Sequence, residues 1–195
     1  MAHIAADIPR PARVPDHTNA DGDGVAVGTG PVVIDAYEDF LCPFCRMFEE
    51  RSGATLHRLV DEELATVVYH PLGFLDRAST TAYSSRAAAA SGCAADRGRF
   101  LAFHDILYAN QPPEGGPGLS DEELIALGAQ VGLTDDGFAT CVTEHAHLPW
   151  VAYVTERAIA RGVSGTPTVM VEGVNIPANR EMIVAAVSAA LDARG

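Results

Sequence analysis

The chain has 195 residues, enough for one domain with a full core or one domain carrying a sizeable insertion, and too few for two comfortable domains. Its formal net charge of −13 argues against nucleic acid and against an anionic membrane surface, since both would repel it. No stretch approaches the roughly 18–20 consecutive apolar residues needed to span a bilayer, and the first 13 residues lack the basic flank and apolar core of a secretory signal.

In chain order, residues 1 to about 30 contain Pro9, Pro11 and Pro15, then the polar run Asn19-Ala20-Asp21-Gly22-Asp23-Gly24. That composition has little to bury and predicts a flexible N-terminal arm or linker. The Asn19-x-Asp21-x-Asp23-Gly24 spacing resembles the start of an EF-hand loop, but Gly30 stands where the bidentate glutamate belongs, so no calcium site is expected. From Gly30 onward strand and helix patterns alternate, which predicts an α/β layer architecture. A strand is expected over 32–37, a helix over 43–60 and a second buried strand over 65–70. Residues 76–109 read as helix broken near Gly92 or Gly98, with Ser79 or Thr80 as its cap, and 111–118 as a Pro/Gly loop. Ser120-Asp121-Glu122-Glu123 matches a capping box. A short helix is expected from Thr134 through Cys141 and a longer one from Pro149 to about Gly162. The strand pattern returns at 168–171 and 174–176 around a Glu172-Gly173 turn, followed by a helix over 180–191.

Cys42-Pro43-Phe44-Cys45 sits where the first strand gives way to the first helix. Two thiols three positions apart at a helix N-terminus form a redox device: Cys42 is expected to be exposed and Cys45 one turn inside, close enough to form a disulfide. The unpaired N–H groups of the first turn favour a Cys42 thiolate, Pro43 suits the first helical position, and Arg46 adds a nearby positive charge. The competing reading is half of a zinc site, but Cys93 and Cys141 occur singly and neither His57 nor His70 has finger-like spacing. His145 and His147, near Cys141 and Glu144, read as surface residues at a helix end, and His104 and Trp150 have no constellation around them. No metal is expected. Gly165-Thr166-Pro167-Thr168 opens the returning strand, where a proline cannot donate to a ladder; it reads as a turn or edge, or as a cis-proline close to the cysteine pair.

These two motifs, separated by a helical block, resemble the DsbA-like branch of the thioredoxin superfamily over about 31–191. The resemblance implies a thioredoxin fold with an all-helical insertion, about 76–162, between the second and third strands, in a domain covering 31–195. It implies a thiol-disulfide oxidoreductase in which Cys42 attacks, Cys45 resolves and Pro167, after Thr166, is the cis-proline beside them. No cofactor is expected beyond the cysteine pair. The substrates would be unfolded or cysteine-containing exported proteins, and a separate partner would regenerate the pair. A reductase or isomerase would look nearly identical in sequence, and a non-catalytic chaperone or interaction module of the same fold is the third reading. Relatives with cysteines in similar places join them, which implies a Cys93–Cys141 disulfide; it would close a loop of about 49 residues, worth roughly 4 kcal/mol in the chain-entropy model. Such a bond implies an oxidising compartment, so an extracytoplasmic monomer whose export segment is absent from this chain is expected.

Two positions depart from the family. Many relatives carry a buried acid six residues before the first cysteine, where this chain has Ala36. Asp35 and Asp39 fall on the opposite strand face, which leaves Glu38 as the candidate proton relay, with a solvated strand-end charge as the alternative. Phe44 stands where the strong oxidants of the family have histidine. It cannot hydrogen-bond a thiolate, so a less oxidising couple is expected.

Overall fold

The computed structural model describes residues 8–194. A five-stranded sheet runs β1-β3-β2-β4-β5, with β1 Val25–Val27, β2 Val32–Glu38, β3 Ala65–Pro71, β4 Thr168–Val171 and β5 Val174–Ile176. β2 and β3 pair in parallel, with Ile34 opposite Val67, and every other pairing is antiparallel. A parallel pair needs a crossover. Here α1 Pro43–Phe48, a π-helical turn Glu49–Gly53 and α2 Ala54–Asp61 supply it. The sequence predicts one regular helix over this span; the structure inserts the π turn, a feature often found next to functional sites.

The helical insertion comprises α3 Tyr83–Ala95, α4 Phe100–Ala109, α5 Asp121–Gln130, α6 Asp136–Thr143 and α7 Leu148–Ala160, and α8 Arg180–Asp192 closes the chain. This is the thioredoxin arrangement, and the insertion falls between the second and third strands foreseen from the sequence. Ala87, Ala88 and Ala94 of α3 are fully buried. Their small side chains let α4, α6 and α7 pack against this central helix. Ser120 and Glu123 close the foreseen capping box at α5. α3 begins at Tyr83, whose N–H is accepted by Ser79 Oγ at 2.7 Å.

The N-terminal segment departs from expectation. Residues 1–7 lie outside the described chain, but within the rest of the presumed arm Gly22–Val25 are buried, and β1 adds an edge strand to β3. The acids of the polar run are paired: Asp23 is fully buried, with Arg157 Nε at 2.6 Å and Arg161 Nη1 at 2.7 Å. Asp21 takes both arginines at 2.7 Å, while Trp150 Nε1 donates to Gly22 O and Tyr153 OH to Asp21 O. Trp150 thus has the partner the sequence did not reveal. Charges 134 to 140 residues apart in sequence leave no local pattern, so composition alone mistook a fastened loop for a loose one.

Candidate active site

The cysteine pair lies past the carboxyl end of β2, where Asp39, Phe40 and Leu41 turn into α1. Cys42 is the N-cap of α1 (φ −72°, ψ 117°) with Pro43 behind it, and its carbonyl accepts from the N–H of Cys45 at 3.1 Å and of Arg46 at 3.2 Å. The two thiols are free. Cys42 is only 4 % exposed, contrary to the expectation of an open thiol, because the segment ahead of β4 lies over it: its Sγ–H donates to the Thr166 carbonyl at 3.4 Å, and the Thr166–Pro167 peptide bond is cis. Cys45 is fully buried.

The environments of the two sulfurs pull them apart. Cys42 is lowered to about 6, foremost because the Cys45 thiol donates to it; burial opposes this, and hydrogen bonds from the Thr166 side chain and the N–H groups of Cys45 and Phe44 add to it. Cys45 is pushed far up by burial, by that same bond to Cys42 and by the charge of Glu38. Arg46 is turned away to Glu50, at 2.8 Å, and is not among the groups that lower Cys42.

Beneath Cys45 lies a buried cluster. Glu38 is 3 % exposed, not a solvated strand end, and its Oε2 meets His104 Nε2 at 2.8 Å. His104 therefore has the constellation that sequence reading denied it. Burial works against its charge, yet hydrogen bonds to Asp105 and Glu38 and the charges of Glu38 and Glu49 raise it to about 10. Glu49 is raised well above the usual range by burial and then by Glu38. Oε1 of Glu38 and Oε1 of Glu49 are buried with no hydrogen-bond partner among the described residues, and the proton that burial holds on Glu49 is one it can offer to Glu38. Gly53 makes room: a Cβ there would lie 2.7 Å from Glu49 Oε2, so the π turn and the bare glycine together let Glu49 fold inward. Glu38, Glu49 and His104 each offer a donor atom within 4.8 Å of the others, but His104 Nε2 is already engaged by Glu38, which favours proton sharing over metal ligation.

Two residues missed from the sequence hold the loop. Asp39 is fully buried; its carboxylate accepts from Leu41 N at 2.8 Å, Leu75 N at 2.9 Å and Ser84 Oγ at 2.6 Å, fastening the cysteine turn to the 71–75 loop and to α3. Burial raises Asp39 to about 6 despite these bonds. Gln111 Nε2 donates to Phe40 O at 2.9 Å and to Cys42 O at 3.0 Å. Strand parity placed Asp39 outward, but the strand ends at Glu38 and the chain turns, so parity no longer applies. No sequence signal marks Gln111.

Phe44 projects at 67 % exposure as a ridge between two open grooves. One, of about 830 Å³, is lined by Cys42, Phe44, Phe74, Ile159 and Thr166, and the other, of about 690 Å³, by Met47, Arg51, Pro167 and Asn179. Far from this site, Cys93 and Cys141 are joined in a disulfide with a Cα–Cα distance of 5.9 Å. His147 beside it is fully buried rather than a surface helix-end residue, and His145 pairs with Asp121 at 2.9 Å.

A sheet of this order, with two free thiols at the start of its first crossover helix, defines a thioredoxin-fold redox protein. The family model described as Thioredoxin matches residues 23–193. Among solved structures, the chain is similar to the disulfide bond oxidoreductase DsbG of Mycobacterium tuberculosis, at 34 % identity and TM-score 0.76 over 85 % of this chain and 86 % of that one. It is also similar to DsbA of the same organism, at 35 % identity and TM-score 0.70 over 79 % and 85 %. BdbD of Bacillus subtilis, at 17 % identity and TM-score 0.75 over 92 % and 96 %, shares the fold. Curated relatives include the Na(+)/H(+) antiporter NhaA 3 of Salinispora tropica, 32 % identical over 82 % of this chain and 23 % of its own length. The serine/threonine-protein kinase PknE of Mycobacterium tuberculosis is likewise 32 % identical, over 75 % and 28 %. The chain thus spans about a quarter of the length of these curated relatives. It belongs to the thioredoxin family, and within it to the DsbA-like thiol-disulfide oxidoreductases.

Proposed function

We propose that Cys42 and Cys45 form the redox couple of an enzyme that introduces disulfides into exported proteins. The observation that carries this reading is the separation of the two sulfurs: one held near 6 at a helix N-terminus, the other buried and held far higher. In the oxidised enzyme a substrate thiolate attacks Cys42 Sγ, the Cys42–Cys45 bond breaks, and a mixed disulfide forms while Cys45 leaves and takes up a proton. A second substrate thiolate then attacks the substrate sulfur; the product disulfide forms and Cys42 leaves as its stabilised thiolate. Two electrons pass from substrate to the pair, and a separate oxidant must withdraw them.

Glu38 is our candidate relay for the Cys45 proton, supported by its burial and by its electrostatic influence on Cys45. The Thr166 and Pro167 backbone, level with Cys42, suits an extended substrate segment, and the apolar groove beside Phe44 suits an unfolded one. The Cys93–Cys141 disulfide supports an extracytoplasmic, oxidising compartment. Among the described residues, no helix is long and apolar enough to cross a membrane.

The test is the equilibrium reduction potential of Cys42–Cys45 in a Cys93→Ser/Cys141→Ser variant, so that a single couple titrates. A value toward about −120 mV supports the oxidase, and one near about −270 mV shifts the assignment to a reductase. The absence of a reversible couple removes the catalytic reading.

A further inference from the structure

The Cys93–Cys141 disulfide is accompanied by an imidazole with one ring nitrogen left without a partner among the described residues. His147 is fully buried, and one donor atom from each of Cys93, Cys141 and His147 lies within 4.8 Å of the other two. His147 Nε2 lies 2.8 Å from Asp96 Oδ2, and a carboxylate can only accept, so the proton of that bond sits on Nε2. Nδ1 is buried with no hydrogen-bond partner among the described residues. A buried polar nitrogen left in this way calls for a reason. The fold also makes specific room for the ring: a Cβ on Gly92, one residue before Cys93, would lie 3.1 Å from its Cγ and Cδ2.

Two sulfurs and an imidazole nitrogen form the donor set of a zinc site, and a carboxylate on the outer nitrogen of a ligating histidine is its usual orienting partner. We propose that Cys93, Cys141 and His147, oriented by Asp96, form a redox-gated site for a zinc-class divalent cation, closed while the disulfide is intact and opened when a dithiol reduces it. In the opening step one thiolate of the dithiol attacks a disulfide sulfur, its second thiol resolves the mixed disulfide, and the reductant leaves oxidised. Two electrons and two protons have then passed to Cys93 and Cys141.

Metal binding releases those two protons to solvent. Two thiolates cancel the charge of the cation, which suits a buried position, while Nδ1 supplies the third bond and water the fourth. The sulfurs move from bonding distance to roughly 3.8 Å apart, the spacing that tetrahedral ligation at about 2.3 Å requires. Asp96 also lines an open cavity of about 640 Å³ with Asp16, Asp135 and two arginines, of which Arg97 pairs with Asp135 at 3.0 Å. Arg13, which lines the same cavity, lies 3.1 Å from Asp96 and 3.9 Å from Cys141 Sγ; its side chain is 56 % exposed and has room to swing aside.

The probes are Co²⁺ and Zn²⁺, applied to the full chain carrying Cys42→Ser and Cys45→Ser so that only Cys93 and Cys141 supply thiolates. After reduction with a phosphine, Co²⁺ is expected to give a thiolate-to-cobalt charge-transfer band at one metal per chain, and Zn²⁺ to abolish it; the oxidised protein gives none. Asp96→Asn is expected to weaken Zn²⁺ binding roughly tenfold or more, and His147→Ala by at least as much. A reduced protein without the band, or one whose Zn²⁺ affinity is unchanged by His147→Ala, overturns the proposal. Should reduction unfold the chain, Zn²⁺ is expected to restore the native circular dichroism, and His147→Ala to abolish that rescue. Failure of Zn²⁺ to restore it overturns the proposal equally.

Discussion

The molecule holds two cysteine pairs, and their surroundings assign them opposite fates. Cys42 and Cys45 share one helix start, where the Cys45 thiol, the Thr166 side chain and the first N–H groups stabilise a thiolate on Cys42 while burial, the bond to Cys42 and Glu38 hold the proton on Cys45. Cys93 and Cys141 come from α3 and α6, are joined, and tie together two helices of the insertion. Exposure alone does not separate the two pairs, since Cys42 at 4 % and Cys141 at 5 % are equally covered; the hydrogen-bond donors and charges around Cys42 make the difference.

Removing one sulfur from the first pair and both from the second separates the two roles. Cys42→Ser is expected to reduce oxidation of a reduced, unfolded substrate protein to the uncatalysed rate, with folding unimpaired; retained turnover would move the nucleophile elsewhere. Glu38→Gln is expected to slow turnover by about 10²-fold, the lower end of what a positioned acid-base group supplies, while the Cys42 thiolate titration moves little. A rate within twofold of the parent would remove Glu38 from the mechanism. Conversely, Cys93→Ser/Cys141→Ser is expected to cost about 2–5 kcal/mol in denaturant unfolding and to leave the Cys42 titration in place. An altered titration would mean that the two pairs communicate.

The smallest expected effect concerns the loop that joins the active-site turn to the insertion. Asp39→Asn is expected to cost about 1–3 kcal/mol, because an amide cannot accept from all three donors that now converge on the carboxylate. Its pH dependence has a definite sign. Asp39 keeps its proton to about 6 in the folded chain against 3.8 for the free group, so its contribution is complete below about 3.8 and is lost as pH rises through about 6. The asparagine variant is expected to lose that slope; an unchanged slope would assign it to another group.

Much of this site was legible because it is local. The Cys42-Pro43-Phe44-Cys45 spacing, the strand before it and the Thr166-Pro167 pair can each be read from a few neighbouring residues, and the alternation of strands and helices predicts the layers. What escaped was long-range polar pairing. Glu38 meets His104, Asp23 meets Arg157 and Arg161, and His147 meets Asp96, each across 50 residues or more. No periodicity records such partners. The short β1 was missed for a related reason: three residues of strand are held by pairing with Val67–Tyr69 rather than by their own composition.

The Cys42 thiolate can be followed directly by ultraviolet absorbance of the protein across pH with Cys42 and Cys45 reduced and the Cys93–Cys141 disulfide intact. The predicted titration has a midpoint near 6, one thiolate per chain, and no second thiolate below pH 9, since Cys45 is held above its ordinary value of 9.0. A midpoint near 9, or two thiolates ionising together, would contradict it.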